Sequence, residues 1–275
     1  MDMEGAIEMT LKVTLAGATG WVGKELLRAI SAAEDLKLVG AVSRSAAGQD
    51  AGSACGFASL GVTIAGTLED ALAVPSDVVI DYTKPHVVKE HALISLARGR
   101  HLVIGTSGLS EDDYAEIDER ARAAGRGVVA AGNFSMTATL MKRFAAEAAR
   151  YVPDVEIIDY AGAGKIDTPT GTARELAELL GPVRGVSTAR PIEHLSGIKE
   201  TRGGRIGEPI GVQIHSVRMP SFVLSCEVLF GAESERLCIR HDAGASAAPY
   251  VSGTLFAARS VTRLVGLRRG LDSIM

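Results

Sequence analysis

The chain has 275 residues, 47% apolar and 23% charged, the balance of a soluble globular protein long enough for two domains. A net charge of −4 excludes the basic footprint that nucleic acid requires, and no run of about 18 apolar residues is present to span a membrane. Cys55, Cys226 and Cys238 show no CxxC spacing; this fits a reducing cytoplasm and reads as core thiols rather than metal ligands.

The start, MDMEGAIEMT, is acidic and lacks an apolar stretch, so no secretory signal is expected. Leu11 to Ala16 is a short β-prone run leading directly into Gly17-Ala18-Thr19-Gly20-Trp21-Val22-Gly23. A helical pattern follows, with Val22, Leu26, Leu27 and Ile30 on one face. Strand, glycine turn and helix are the context of a dinucleotide fingerprint, here spaced GxxGxxG. The candidate cofactor contacts in it are Gly17, Thr19, Gly20, Trp21, Val22 and Gly23. A merely tight strand-to-helix turn is the plainer alternative.

The second strand, Leu36 to Val42, ends at Ser43-Arg44, where NAD-preferring sites place an acid that bonds the ribose 2′-hydroxyl. Arginine pairs with a 2′-phosphate instead and stacks on adenine, so the expected cofactor is NADPH, with NADH as the alternative. An arginine simply exposed at the surface is the competing reading of Arg44.

Alternation of strand and helix continues. Val62 to Ile64 is a short strand, Thr67-Leu68-Glu69-Asp70 resembles a capping box, and Asp77 to Thr83 is a buried-type strand. Pro85 opens a helix running to about Gly99, and His101 to Gly105 is the next strand. Ser110 caps a helix ending at Gly125, and Gly127 to Ala131 is a further strand. This pattern predicts a parallel, doubly wound sheet whose ligands bind at the carboxyl ends of the strands. Tyr82, Thr83, Gly105, Thr106, Ser107, Asn133 and Phe134 sit in the loops at those ends and are predicted to face the cofactor.

After a helix over Met136 to Tyr151 the texture changes. Glu156 to Tyr160 is a short strand, followed by a glycine-rich loop with Lys165 and Asp167, and Thr168-Pro169-Thr170-Gly171-Thr172 opens the helix ARELAELL. Unpaired backbone N–H groups at that helix start, two hydroxyls and the Lys165 charge make a site for a carboxylate or a phosphate. Taken alone, the stretch also reads as an ordinary N-cap. Gly185 to Gly211 reads as loop. Val212 to Met219, Phe222 to Phe230 and Glu235 to His241 read as an antiparallel sheet with one covered face. Ala247 to Leu264 is helical again.

The expected fold is therefore α/β, with an N-terminal Rossmann-like parallel sheet and a C-terminal α+β domain built on a mainly antiparallel open sheet. Residues 1–133 with 247–275 form the dinucleotide-binding domain, and 134–246 the substrate-binding and oligomerisation domain. The two are expected to share a cleft.

These residues resemble the dihydrodipicolinate reductase family, the 4-hydroxy-tetrahydrodipicolinate reductases of the lysine and diaminopimelate pathway. The carriers are GATGWVG, GQDAG at Gly48 to Gly52, DYTKP at Asp81 to Pro85, GTSG at Gly105 to Gly108, GNFS at Gly132 to Ser135, and KIDTPTGTA at Lys165 to Ala173, with IHSVRM, EVLFG and LCIRHDA later. The resemblance covers roughly Lys12 to Leu271 and implies NAD(P)H binding, a cyclic imino acid substrate and a homotetramer built through the second domain's sheet.

It also has a gap. The family carries E-x-H-H-x-x-K-x-D-x-P-S-G-T-A, including the histidine taken as proton donor, and this chain has Ala161, Gly162, Ala163 and Gly164 before Lys165. Trp21 also stands where the family usually has an arginine. What remains is a carboxylate half-site of Lys165, Thr170, Gly171 and Thr172, with Lys165, Tyr160 or water as proton source. Tyr160 also reads as a packed core residue, and strand alternation points it away from the loop. His215 and His241 read as structural strand residues. Two functions follow: an NADPH-dependent reductase of a cyclic C=N acid, or a catalytically silent NADPH-binding relative that senses or scaffolds.

Overall fold

The computed structural model describes residues 10–207 and 209–275; the acidic start up to Met9, on which the reading against a secretory signal rests, lies outside them. In chain order the elements begin β1 (Leu11–Ala16), α1 (Trp21–Ala32), β2 (Leu36–Val42), β3 (Ile64–Ala65), α2 (Leu68–Ala71), β4 (Val78–Asp81) and α3 (Pro85–Ala97). They continue β5 (His101–Ile104), α4 (Glu111–Ala124), β6 (Gly127–Ala130), α5 (Met136–Ala149), β7 (Asp154–Ala161) and α6 (Gly171–Leu180). The last are β8 (Gly204–Ile206), β9 (Val212–Arg218), β10 (Leu224–Ala232), β11 (Glu235–Ala243), α7 (Ala248–Val261) and β12 (Gly266–Arg269). The chain divides into two compact units, residues up to 136 with 247–275, and residues 137–246. Among the described residues no helix is long and apolar enough to cross a membrane.

In the first unit seven strands lie in the order β12-β6-β5-β4-β1-β2-β3, every pair parallel. Val78, Val79 and Ile80 are fully buried, because helices cover both faces of a parallel sheet and leave no side for polar alternation. Leu26, Leu27 and Ile30 of α1 pack on one face with Val261 of α7, and Val88, Ala92 and Ile117 of α3 and α4 pack on the other. Each fully buried Leu or Ile contributes about 1.5–3 kcal/mol. Strand order reverses at β1, whose neighbours are β4 and β2, so the crevice at its carboxyl end is where ligands enter such sheets. β12 was not expected from the sequence; GLRR has no alternation, and its place at the sheet edge explains why it needs none.

In the second unit five strands lie in the order β11-β10-β7-β9-β8. The sheet is mostly antiparallel, but β7 and β9 run parallel, so it is mixed. β8, within the stretch read as loop, adds a three-residue edge. β7 alternates strictly: Val155, Ile157, Asp159 and Ala161 face the core formed with α5 and α6, while Glu156, Ile158 and Tyr160 face the other side. Leu176, Ala177 and Leu180 of α6 are fully buried against that core. Cys226 is buried as expected, but Cys238 is exposed and its thiol donates to Glu227 at 3.1 Å, because β11 is an edge strand with little cover.

Candidate functional site

β1 delivers the chain into a turn where Gly17 has φ +84°, and a Cβ there would stand 2.2 Å from the Tyr82 carbonyl oxygen. Only glycine lets these backbones approach so closely. Gly23 serves packing instead, since a Cβ there would lie 2.1 Å from the Gly17 carbonyl oxygen. α1 then starts with Gly20 as its N-cap, with no side-chain cap and no acid in the first turn. Its first N–H groups and the positive end of its dipole are therefore left for a ligand anion. Gly17→Ala is expected to weaken cofactor binding at least about tenfold, combining left-handed backbone strain with the clash against Tyr82; calorimetric titration with NADPH checks it.

A cavity of about 1170 Å³ opens at this edge of the sheet. Gly17, Gly20, Trp21, Val22, Ser43 and Arg44 line it, and so do Tyr82, Thr83, Gly105, Thr106 and Ser107. Thr19 contributes indirectly, its hydroxyl 2.7 Å from that of Ser43. Asn133 and Phe134 are not among the lining residues. Phe134 is 1% exposed and packs in the core near the Tyr82 ring, and the Asn133 side chain accepts from Ser135 N–H at 2.8 Å to shape its own turn.

The hub of this edge is Asp81, which carried no role in the sequence reading. Its fully buried carboxylate accepts from Thr83 N–H at 2.9 Å, Thr83 Oγ1 at 2.6 Å, Thr106 Oγ1 at 2.9 Å and His91 Nδ1 at 2.7 Å. A carboxylate only accepts, so His91 carries its proton on Nδ1. The Thr83 and Thr106 hydroxyl protons are thus committed to holding two loops, so to a ligand these hydroxyls can act only as acceptors. Tyr82 forms a wall: its hydroxyl lies 2.7 Å from Thr254 Oγ1, and burial pushes its pKa well above the ordinary tyrosine value. The volume, the open helix start and the glycine approach fit a dinucleotide.

The second unit carries the other half of the predicted site. Thr170 caps α6, with its Oγ1 accepting from Ala173 N–H at 3.5 Å, a contact at the limit of hydrogen bonding. The same hydroxyl donates to Asp159 at 2.6 Å, and Thr170 N–H donates to Asp159 at 3.0 Å. Thr170 is 2% exposed. It was expected to offer its hydroxyl to a substrate, and it braces the loop instead. Asp159 also accepts from Ser216 Oγ at 3.0 Å and forms an ion pair with Arg218 at 2.9 Å. Arg218 reaches on to the Asp167 carbonyl at 2.8 Å, so the last part of the 162–170 loop is tied to the sheet at both Asp167 and Thr170.

Gly171 is exposed and Thr172 half-buried at the start of α6. Lys165 stands on the loop with its side chain 45% exposed, its ammonium 2.9 Å from Asp167. Asp167 is held below the ordinary aspartate pKa by the Lys165 hydrogen bond, against a smaller opposing effect of burial. Tyr160 is not brought to this loop. It lies on the other face of β7 from Asp159, its hydroxyl donates to Glu227 at 3.0 Å, and its ring packs on Phe222 and under Arg240. Burial first, and then Glu227, raise its pKa. His215 is 2.7 Å from Glu156 and His241 3.1 Å from Thr137, both structural positions. Where the resembled family has histidines, Ala161 is fully buried and Gly162 to Gly164 present no side chain able to move a proton.

A glycine turn on a doubly wound sheet, with a second unit of mixed sheet, is the build of an NAD(P)H-dependent oxidoreductase. Family models for the N-terminus and the C-terminus of dihydrodipicolinate reductase match residues 11–134 and 137–271. The chain belongs to the dihydrodipicolinate reductase family. It is 38% identical over 269 residues to the 4-hydroxy-tetrahydrodipicolinate reductase of Desulfitobacterium hafniense, covering 96% of this chain and 98% of that one. It is 36% identical over 265 residues to that of Syntrophomonas wolfei, covering 96% and 98%. Among solved structures, the dipicolinate-bound dihydrodipicolinate reductase from Paenisporosarcina sp. TG-14 superposes with a TM-score of 0.85 at 31% identity, covering 97% of this chain and 100% of that one.

Proposed function

We propose that the enzyme uses NADPH to reduce the C=N bond of a cyclic imino acid, 4-hydroxy-tetrahydrodipicolinate or a related imine, in the cytoplasm. The observation that supports the reading is the start of α6, exposed at Gly171 and preceded by the loop that carries Lys165. The Gly171 and Thr172 N–H groups, the Thr172 hydroxyl and the Lys165 ammonium present donors to a carboxylate, while Asp159 holds the loop that carries them. Bound nicotinamide supplies the hydride. The residues of this chain orient the acceptor and, through Lys165, deliver the proton that the missing histidine delivers in the family pattern. Asp167 then serves to hold the ammonium in place. Loss of the histidines with retention of KxDxPxGT favours a related imine over the family's own substrate. No observation favours the sensing or scaffolding alternative.

The deciding experiment follows NADPH oxidation with 4-hydroxy-tetrahydrodipicolinate and a panel of simpler cyclic imino acids. Turnover of the first supports the family's reaction, and turnover of another imine alone supports a changed substrate. Silence across the panel sinks the reading.

Gly171→Ala separates binding from folding. A Cβ there meets no protein atom within 4 Å and φ is not positive, so the fold accepts it, and helix propensity favours it by a few tenths of a kcal/mol up to about 1. A carboxylate drawn onto the N–H of Gly171 meets the new methyl. The expected result is a raised KM with unchanged or slightly higher thermal stability; an unchanged KM removes Gly171 from the substrate site.

Preference for NADPH is assigned to Arg44, exposed in the turn after β2, which itself carries no acid; Glu69 lines the same cavity from the start of α2. Arg44→Ala is expected to weaken NADPH about 10- to 100-fold, the worth of a charge-assisted hydrogen bond, and to leave NADH nearly unchanged. Equal losses for both cofactors would speak against this role. A homotetramer formed through the uncovered face of the second unit's sheet, around Tyr160 and Phe222, completes the proposal. Light scattering on the eluted protein tests it, and a monomeric mass would overturn it.

A further inference from the structure

Arg184 follows α6 and is 6% exposed, its backbone N–H tied to the Leu180 carbonyl at 3.0 Å. A buried cation without a counter-charge costs several kcal/mol, so such groups are paired in folded proteins. Arg184 is not. Its Nε has no partner, its Nη1 reaches only the Val155 carbonyl at 3.5 Å, and no carboxylate lies within ion-pair distance among the described residues. Burial, and then the nearby Arg205, hold its pKa below the ordinary arginine value, with Asp154 opposing.

The side chain borders a cavity of about 250 Å³ in the second unit, shared with Arg202, Arg205, Arg236, Asp154 and Glu156. Glu156 is paired with Arg202 and His215. Asp154 accepts only from neutral donors, the Ser187 hydroxyl and Thr188 through both N–H and hydroxyl, so it leaves one negative charge in a lining that also holds Arg184, Arg205 and Arg236, a surplus of two positive charges. Arg205 has one neutral contact, Nε to the Gln213 side chain at 3.3 Å, and Arg236 is exposed at the rim. Three guanidinium groups thus converge on one small space without an ionic partner among the described residues. Guanidinium forks match carboxylate and phosphate oxygens in paired hydrogen bonds.

We propose that this cavity binds a small oxyanion, a phosphate or carboxylate group, seated on the buried guanidinium of Arg184 and closed over by Arg205 and Arg236. The site is separate from the Lys165 loop, since the two lie at opposite ends of α6, about 15 Å apart along a ten-residue helix. The space suits inorganic phosphate or a short dicarboxylate and is too small for a dinucleotide. Because the anion neutralises a buried charge only in the folded chain, its binding stabilises the second unit.

The test titrates inorganic phosphate and, separately, malonate into the full-length protein at constant ionic strength, with NADPH saturating so that the cofactor's own phosphate contacts are filled. Calorimetry is expected to show saturable binding of at least one anion with a Kd of about 1 mM or tighter. The anion preferred tells phosphate from carboxylate chemistry. Arg184→Met is expected to abolish binding, and Arg205→Met, at an exposed position that does not endanger folding, to weaken it at least about tenfold. The proposal is overturned if neither anion binds saturably, if Arg205→Met and Arg236→Met proteins bind as the parent does, or if a crystal structure seats a carboxylate from a second copy of the chain on Arg184.

Discussion

Asp159→Ala is expected to destabilise the second unit by about 3–5 kcal/mol, the usual cost of removing one partner from a buried ion pair. Four donors lose their acceptor at once: Thr170 N–H, Thr170 Oγ1, Ser216 Oγ and Arg218 Nη2. Arg218 has a buried Nε without a partner and would keep only the carbonyls of Asp159, Val217 and Asp167, so the variant leaves a cation with no counter-charge. The 162–170 loop loses its tether to the sheet, and tryptic cleavage after exposed Lys165 should accelerate with the loss. Because the chain has two units, the urea transition of the second unit should move to lower concentration while NADPH affinity is retained. Asp159→Asn, keeping shape and part of the hydrogen bonding, should lose less. A parent-like urea midpoint together with a parent-like tryptic rate would show that Asp159 does not brace the loop.

Lys165 carries the second large effect, and two substitutions divide its roles. Arginine keeps the charge that holds a carboxylate but cannot give up a proton near neutral pH. Lys165→Arg is therefore expected to lower kcat about 10²-fold, the lower end of what a positioned proton donor supplies, with KM little changed. Lys165→Ala removes the carboxylate contact as well and should lower kcat/KM about a further tenfold or more. The measurement is steady-state kinetics on the imine found active. If Lys165→Arg keeps the parent kcat, the proton comes from water and Lys165 acts in binding alone.

Much of this was legible in the sequence, for reasons that are local. Leu11–Ala16 and Leu36–Val42 were bounded correctly, because each is an apolar run closed by a turn or a polar stop. Ser110 announced α4, and its reciprocal cap with Asp113 is formed. What escaped depends on partners distant along the chain. The parallel pairing of β7 with β9 leaves no mark in either strand, and β8 is three residues with little burial. Thr170 looked like a donor to a ligand because the acid that claims its hydroxyl is 11 residues away, across the loop. One signal was available: an aspartate in register with Val155 and Ile157 on the inward face of an alternating strand cannot be left unpaired. Asp81 and Arg184 escaped for the same reason, their meaning lying in neighbours that only the fold assembles.

Trp21 is the only tryptophan in the chain. It stands at the rim of the larger cavity, 59% exposed, its ring edge-on to Tyr250 at 5.8 Å. Indole emission overlaps the absorption band of reduced nicotinamide, so a dinucleotide settling into that cavity becomes an energy acceptor for this one fluorophore. The second unit has no tryptophan, so it is silent to excitation at the red edge of the indole band, where its Tyr151 and Tyr160 do not absorb. The protein's own emission therefore reports loading of one unit only, with no label attached, and keeps that signal distinct from anything bound at either end of α6.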